Sequence, residues 1–131
     1  MSSIFSKIVN GEIPSYKIAE DDRYFAFLDI NPLALGHTLV IPKLEVDYLF
    51  DLDDNILSDM MVFSKKIGLA IEKVVNCKRI GMAVLGLEVP HAHIHLIPIN
   101  SESDISFSKP KLKLSREQFE ELADKVRKEL I

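Results

Sequence analysis

The sequence predicts an α+β fold: a five-stranded, mainly antiparallel sheet with one long helix and short terminal helices. Three observations lead there. The stretch Val89-Pro90-His91-Ala92-His93-Ile94-His95-Leu96-Ile97-Pro98 alternates apolar residues with three of the chain's four histidines, the period of a strand with one face on a core. Between Asp53 and Val75 the residues Ile56, Met60, Phe63, Ile67, Ile71 and Val74 step by three or four, which is the stripe of an amphipathic helix. Further short apolar runs of strand length are separated by polar or proline-bearing breaks. The 131 residues are expected to form one domain, 1–131, able to bury its own core.

Taken in order, Ile4, Phe5, Ile8 and Val9 recur at helical spacing after Ser2 or Ser3 as N-cap, and Asn10-Gly11 supplies the stop, with Pro14 beyond it. Tyr16 to Ala19 and Tyr24 to Ile30 read as a hairpin around Glu20-Asp21-Asp22-Arg23. Alternation along the second strand sets Asp29 on the same face as Phe25 and Phe27, an unusual place for an acid. After the break at Asn31-Pro32, Gly36 to Pro42 forms a third strand with His37, Leu39 and Ile41 on one side. The long helix follows. Arg79 to Leu85 is the fourth strand, with Gly86-Leu87-Glu88 as a tight connection into the antiparallel histidine strand. Asn100 to Lys113 reads as a solvated loop with Lys109, Lys111 and Lys113 bunched in it. Ser115 and Gln118 form a capping box, Leu114 and Phe119 a hydrophobic staple, and Phe119, Leu122, Val126 and Leu130 the stripe of a last helix.

Composition narrows the functional classes. Hydrophobic residues make up 47% and charged residues 27%, an ordinary soluble balance. A net charge of −4 from 20 acids and 16 bases offers no basic excess for a nucleic-acid polymer. No apolar run approaches the ~20 residues that span a bilayer, and the N-terminus lacks a signal-peptide layout, so no membrane partner is expected. The single cysteine, Cys77, forms no internal disulfide, and a cytoplasmic location is the expectation.

An extended strand carrying His91, His93 and His95 would set three imidazoles on one face, about 6.6 Å apart, with Ala92, Ile94 and Leu96 behind them in the core. Three uses compete. Two imidazoles at i and i+2 can chelate one metal ion, with Asp29, His37 or Glu45 as the further ligand. Alternatively, a neutral imidazole whose one nitrogen is held as a donor can attack phosphorus while its neighbours and backbone N–H groups stabilise the phosphate oxygens, without a metal. The plainest use is an exposed polar face, which strict alternation of so rare a residue argues against.

At these residues the chain resembles the histidine triad (HIT) family of nucleotide-binding proteins, whose signature is three histidines separated by single apolar residues and followed by two more. His91-Ala92-His93-Ile94-His95-Leu96-Ile97 matches it in full. The resemblance extends through Ile4 to Pro14, Ala26-Phe27-Leu28-Asp29-Ile30-Asn31-Pro32 and Gly36 to Lys43 in family order. It implies a homodimer whose two five-stranded sheets join into one continuous ten-stranded sheet. The activity it implies is hydrolysis or transfer of nucleoside 5′-phosphoramidates, or related phosphate esters and anhydrides, at the α-phosphorus. His93 would attack, forming a nucleotidyl-histidine intermediate; His95 and His37 would contact phosphate oxygens and His91 would steady the nucleophile. Asp29 would hold the ribose hydroxyls, and Ile4, Phe5, Ile8, Phe27 and Ile30 would enclose the base of a purine nucleoside monophosphate. No cofactor is implied. A nucleotide-binding module with little turnover is the alternative.

Three departures from the family pattern bear on this reading. Ser3, Ser6 and Glu45 stand where many members carry two cysteines and a histidine that, with the first triad histidine, bind a structural zinc, so no metal is expected here. The usual asparagine-bearing, glycine-rich loop is reduced to Val84-Leu85-Gly86-Leu87-Glu88-Val89. Leu87 stands in place of a common glutamine, and Glu88 becomes a candidate acid for an amine leaving group.

Overall fold

The computed structural model describes residues 2–130. Its elements run α1 (Ile4–Val9), β1 (Lys17–Glu20), β2 (Tyr24–Leu28), β3 (Thr38–Pro42), α2 (Asp54–Val74), β4 (Arg79–Ala83), β5 (Ile94–Ile99) and α3 (Arg116–Glu129), with 3₁₀ turns at Leu49–Asp51 and Glu102–Asp104. The strands form one sheet in the order β1-β2-β3-β5-β4, and every pairing is antiparallel. The predicted α+β class and its five-stranded sheet therefore stand.

Strand alternation divides the sheet into two faces. Tyr24, Ala26 and Leu28 of β2, Val40 of β3, and Ile94 and Leu96 of β5 pack beneath α2 and α3, whose Met60, Phe63, Ile67, Ile71, Phe119, Leu122 and Val126 complete the main core. Phe25, Phe27, Leu39 and Ile41 point the other way and meet Phe5 of α1 in a second, smaller cluster. This is why all of β2 and β3 is buried although each alternates. The histidines lie on the side of the smaller cluster.

Helix α3 begins at the predicted capping box, with Ser115 Oγ accepting from the Gln118 N–H and the Gln118 side chain accepting from the Ser115 N–H. Helix α1 is capped by Ser3, which settles the choice between Ser2 and Ser3. Gly36 turns the chain into β3 at φ +97°, and a Cβ there would lie 3.0 Å from Val75 Cγ2 and 3.2 Å from Ile71 Cγ2 and Pro98 Cγ. Glycine thus sets the entry of the neighbouring His37.

Several boundaries differ from the sequence reading. The histidine strand does not begin at Val89: only His95 lies in the ladder, because Pro90 has no N–H, the His91 N–H turns to Val89 O and the Ala92 N–H pairs with Val46 O. The chain stays extended enough to keep the side-chain alternation, so Ala92 enters the main core while His91 and His93 meet Phe5. β4 ends at Ala83, and the predicted tight connection is the whole segment 84–93. β2 ends at Leu28 and β3 starts at Thr38, so Asp29 and His37 sit just beyond the strand ends, joined by the Asp29 N–H to His37 O bond. Residues 100–113 are not simply a solvated loop. A capping box at Ser101 and Asp104 forms a turn, Ile105 closes on Gly81, where a Cβ would lie 2.5 Å from Ile105 Cδ1, and the Leu112 N–H bonds to Pro32 O.

Candidate active site

All four histidines are buried, and each has its ring hydrogens fixed by groups with only one possible role. His93 Nδ1 lies 2.8 Å from the His91 carbonyl oxygen. A carbonyl can only accept, so Nδ1 carries the proton and Nε2 keeps its lone pair. His91 Nε2 lies 2.7 Å from Pro42 O and must donate, which makes His91 Nδ1 the acceptor for Ser3 Oγ at 2.7 Å. His37 Nδ1 accepts the Leu33 N–H at 3.0 Å, so its Nε2–H donates to His95 Nδ1 at 2.9 Å. His95 is left with its proton on Nε2. A backbone N–H at Leu33 thereby sets the tautomer of a side chain two hydrogen bonds away.

Burial disfavours the charged form of His37, His91 and His95. It pushes His37 down to about 3, helped by His95 and Lys111, and His95 down to about 4, helped by His93. His91 is lowered mainly by the same cause. The His93 and His95 ring centroids are 5.0 Å apart, so a lone pair and an N–H donor stand side by side.

They open into a cleft of about 410 Å³. Ile4, Phe5, Ile8, Phe27, Asp29 and Ile30, all expected at a nucleotide site, line it together with His93 and His95. Phe5 presents its ring edge-on to His93 at 5.0 Å and to Phe27 at 5.6 Å. Asp29 Oδ1 accepts the Asn31 N–H at 2.9 Å, and its carboxyl is raised chiefly by burial. His91 and His37 stand behind His93 and His95 rather than in the wall.

One feature of the wall escaped the sequence reading. Phe107 packs against His95 at 4.7 Å and His37 at 6.3 Å; the available signal was a lone aromatic among serines in the Asn100 to Lys113 segment. Lys111 ties that segment down by donating from Nζ to Phe107 O at 2.6 Å. The segment Leu85 to Val89 also lines the cleft, so the shortened loop still reaches it, and Leu87 and Glu88 are part of the lining.

Asp29, His37 and His95 offer three donor atoms within 4.8 Å of one another, with Asp29 Oδ2 3.5 Å from His37 Nε2. The tautomers oppose a cation there. A metal on His37 Nε2 would force the ring proton onto Nδ1, against the Leu33 N–H. Glu45, the other candidate metal ligand, lies instead with Ser3, Ser6 and His91. The structural zinc of the family pattern does not fit that group either, since its serine hydroxyls are poor ligands at neutral pH and the His91 Nδ1 lone pair already faces the Ser3 hydroxyl.

Fold and cleft together define a class: small α+β domains that set clustered, neutral imidazoles at the end of an apolar pocket. The family model described as "HIT domain" matches residues 10–102. An uncharacterized HIT-like protein of Borreliella burgdorferi is 41% identical over 131 residues, covering 94% of each chain. The adenosine 5′-monophosphoramidase hnt1 of Schizosaccharomyces pombe is 36% identical over 128 residues, covering 96% of each. The crystal structure of a HIT-like protein from Bartonella henselae superposes with a TM-score of 0.85 at 34% identity, covering 98% of this chain and 96% of that one. The chain belongs to the HIT family. Among the described residues no helix is long and apolar enough to cross a membrane.

Proposed function

We propose that the protein is a nucleotide hydrolase or transferase that cleaves purine nucleoside 5′-phosphoramidates at the α-phosphorus through a nucleotidyl-histidine intermediate on His93. One observation carries this reading: the His93 lone pair and the His95 Nε2–H stand together at the end of an apolar cleft that also holds Asp29. The base lies among Ile4, Phe5, Ile8, Phe27 and Ile30, and the ribose hydroxyls donate to Asp29. His93 Nε2 attacks phosphorus as the P–N bond to the leaving amine breaks, and that amine takes a proton from solvent or from Glu88. His95 donates to a non-bridging oxygen as charge builds on it. Water then attacks phosphorus, the N–P bond breaks, and the nucleoside monophosphate leaves with His93 regenerated. The S. pombe relative's activity supports the choice of phosphoramidate.

The protein acts as a homodimer in this reading. β4 is an edge strand, and Met82, Val84 and Leu85 in and after it are exposed, as are Met61, Val62 and Leu69 on α2. Sedimentation of a dimer supports the assembly and a monomer removes it. Catalysis is tested by turnover of adenosine 5′-phosphoramidate with chelator present. Full turnover is expected, because no step needs a metal. Binding of AMP without turnover would instead favour a nucleotide-binding module, and loss of turnover on chelation a metal enzyme.

A further inference from the structure

We infer that Ser3, Ser6, Glu45 and His91 form a metal-free clasp between α1 and the histidine loop, in which Glu45 is a positioning residue for His93. Helix α1 has six residues, too few to hold its shape without external ties. Its ties converge on one carboxylate oxygen: Glu45 Oε1 accepts the Ser3 N–H at 2.6 Å and the Ser6 hydroxyl at 2.7 Å. Ser3 Oγ accepts the Ser6 N–H at 3.0 Å and donates its own hydrogen to His91 Nδ1. Each donor hydrogen is used once, Glu45 Oε1 accepts twice, and every bond runs in a compatible direction.

The clasp reaches the nucleophile by two routes. Ser3 and Pro42 O hold both nitrogens of His91, and the carbonyl of His91 fixes the proton on His93 Nδ1. Along the other route, α1 carries Phe5, whose ring edge meets His93 at an interplanar angle of 87°. Letting α1 shift would therefore disturb both the tautomer and the packing of His93. The Ser3 N–H chiefly, then the Ser6 hydroxyl, lowers the Glu45 carboxyl to about 2, so the clasp stays charged throughout the neutral range. Charge-assisted bonds are the stronger kind, which suits a tie lying partly at the surface.

The catalytic part of this inference rests on the proposed chemistry of His93, whereas the clasp itself does not, and the test separates them. Imidazole nitrogen shifts by NMR report tautomers in the free protein. Wild type is expected to show His91 protonated on Nε2 and His93 on Nδ1. Glu45→Ala should mix the tautomers of both rings and lower kcat about tenfold with a smaller change in KM, the scale of one strong hydrogen bond lost. Glu45→Gln, which keeps an acceptor oxygen, should recover most of that loss. Ser3→Ala, which leaves the Ser6 to Glu45 bond in place, should disturb His91 in the same way and provides the reading if Glu45→Ala does not fold. Unchanged imidazole shifts in folded Glu45→Ala or Ser3→Ala would overturn the clasp, as would one bound zinc per chain in purified wild type. Altered shifts with no turnover in wild type would leave the clasp standing and remove the catalytic reading.

Discussion

Changing His93 to alanine is expected to lower turnover of adenosine 5′-phosphoramidate on the order of 10⁴-fold or more, the scale of a deleted nucleophile, while AMP affinity stays within a few-fold of wild type. The asymmetry follows from where His93 stands. Its Nδ1–H is spent on the His91 carbonyl, so the only reactive atom it brings to the cleft is Nε2, and a group that acts through one atom in the transition state contributes little to ground-state binding. In the proposed binding mode the base and ribose contacts fall to other residues. His95→Ala should cost less, about 10² to 10³-fold, because it removes one donor to a developing oxyanion and leaves the nucleophile. Steady-state kinetics and calorimetric AMP binding on the two variants check this; equal losses in both, or a parallel loss of AMP affinity in His93→Ala, would sink the assignment of His93 as nucleophile.

Much of this site was legible because the signals were local. Strand alternation put Asp29 beside Phe25 and Phe27, and the reason for that odd acid is the cleft it faces. The same alternation separated the histidines from Ala92, Ile94 and Leu96 correctly, although the ladder begins only at Ile94. Face depends on an extended backbone, whereas ladder membership depends on where each N–H finds a partner, and Pro90 and the Val46 carbonyl are matters of tertiary placement. Phe107 was hidden for the same reason: nothing within its own segment shows that Ile105 will seat on Gly81 and carry the ring to His95. The sequence marks Ser3 as an N-cap candidate and Glu45 as a candidate ligand, and Ser3, Ser6 and Glu45 together as positions where the family's zinc ligands are missing. That they bond to one another is a statement about three separate elements meeting, which no periodicity records.

Stability should fall by about 3 kcal/mol between pH 6.5 and pH 5, a large share of the ~5–15 kcal/mol typical of a folded domain. In the unfolded chain a histidine takes up a proton below about 6.5; in the folded protein His95 resists to about 4 and His37 to about 3. A lowered folded value means that the unfolded state binds more protons throughout that window, so stability is complete above about 6.5 and drains as pH falls, at about 1.4 kcal/mol per pH unit for each ring. His91 acts in the same direction. Asp29, raised by burial, opposes it, and Glu45 adds its loss only at lower pH, below the ordinary carboxylate range. The hydrogen bonds explain why the folded rings refuse the proton: on His37 it would have to enter Nδ1 against the Leu33 N–H, and on His95 it would enter Nδ1 against the His37 N–H. Urea unfolding at pH 7, 6 and 5 measures the slope, and His37→Leu should remove about half of it. A flat profile from pH 6.5 to 5 would mean that both rings accept a proton in the folded state, and the neutral donor relay from Leu33 to His95 would have to be abandoned.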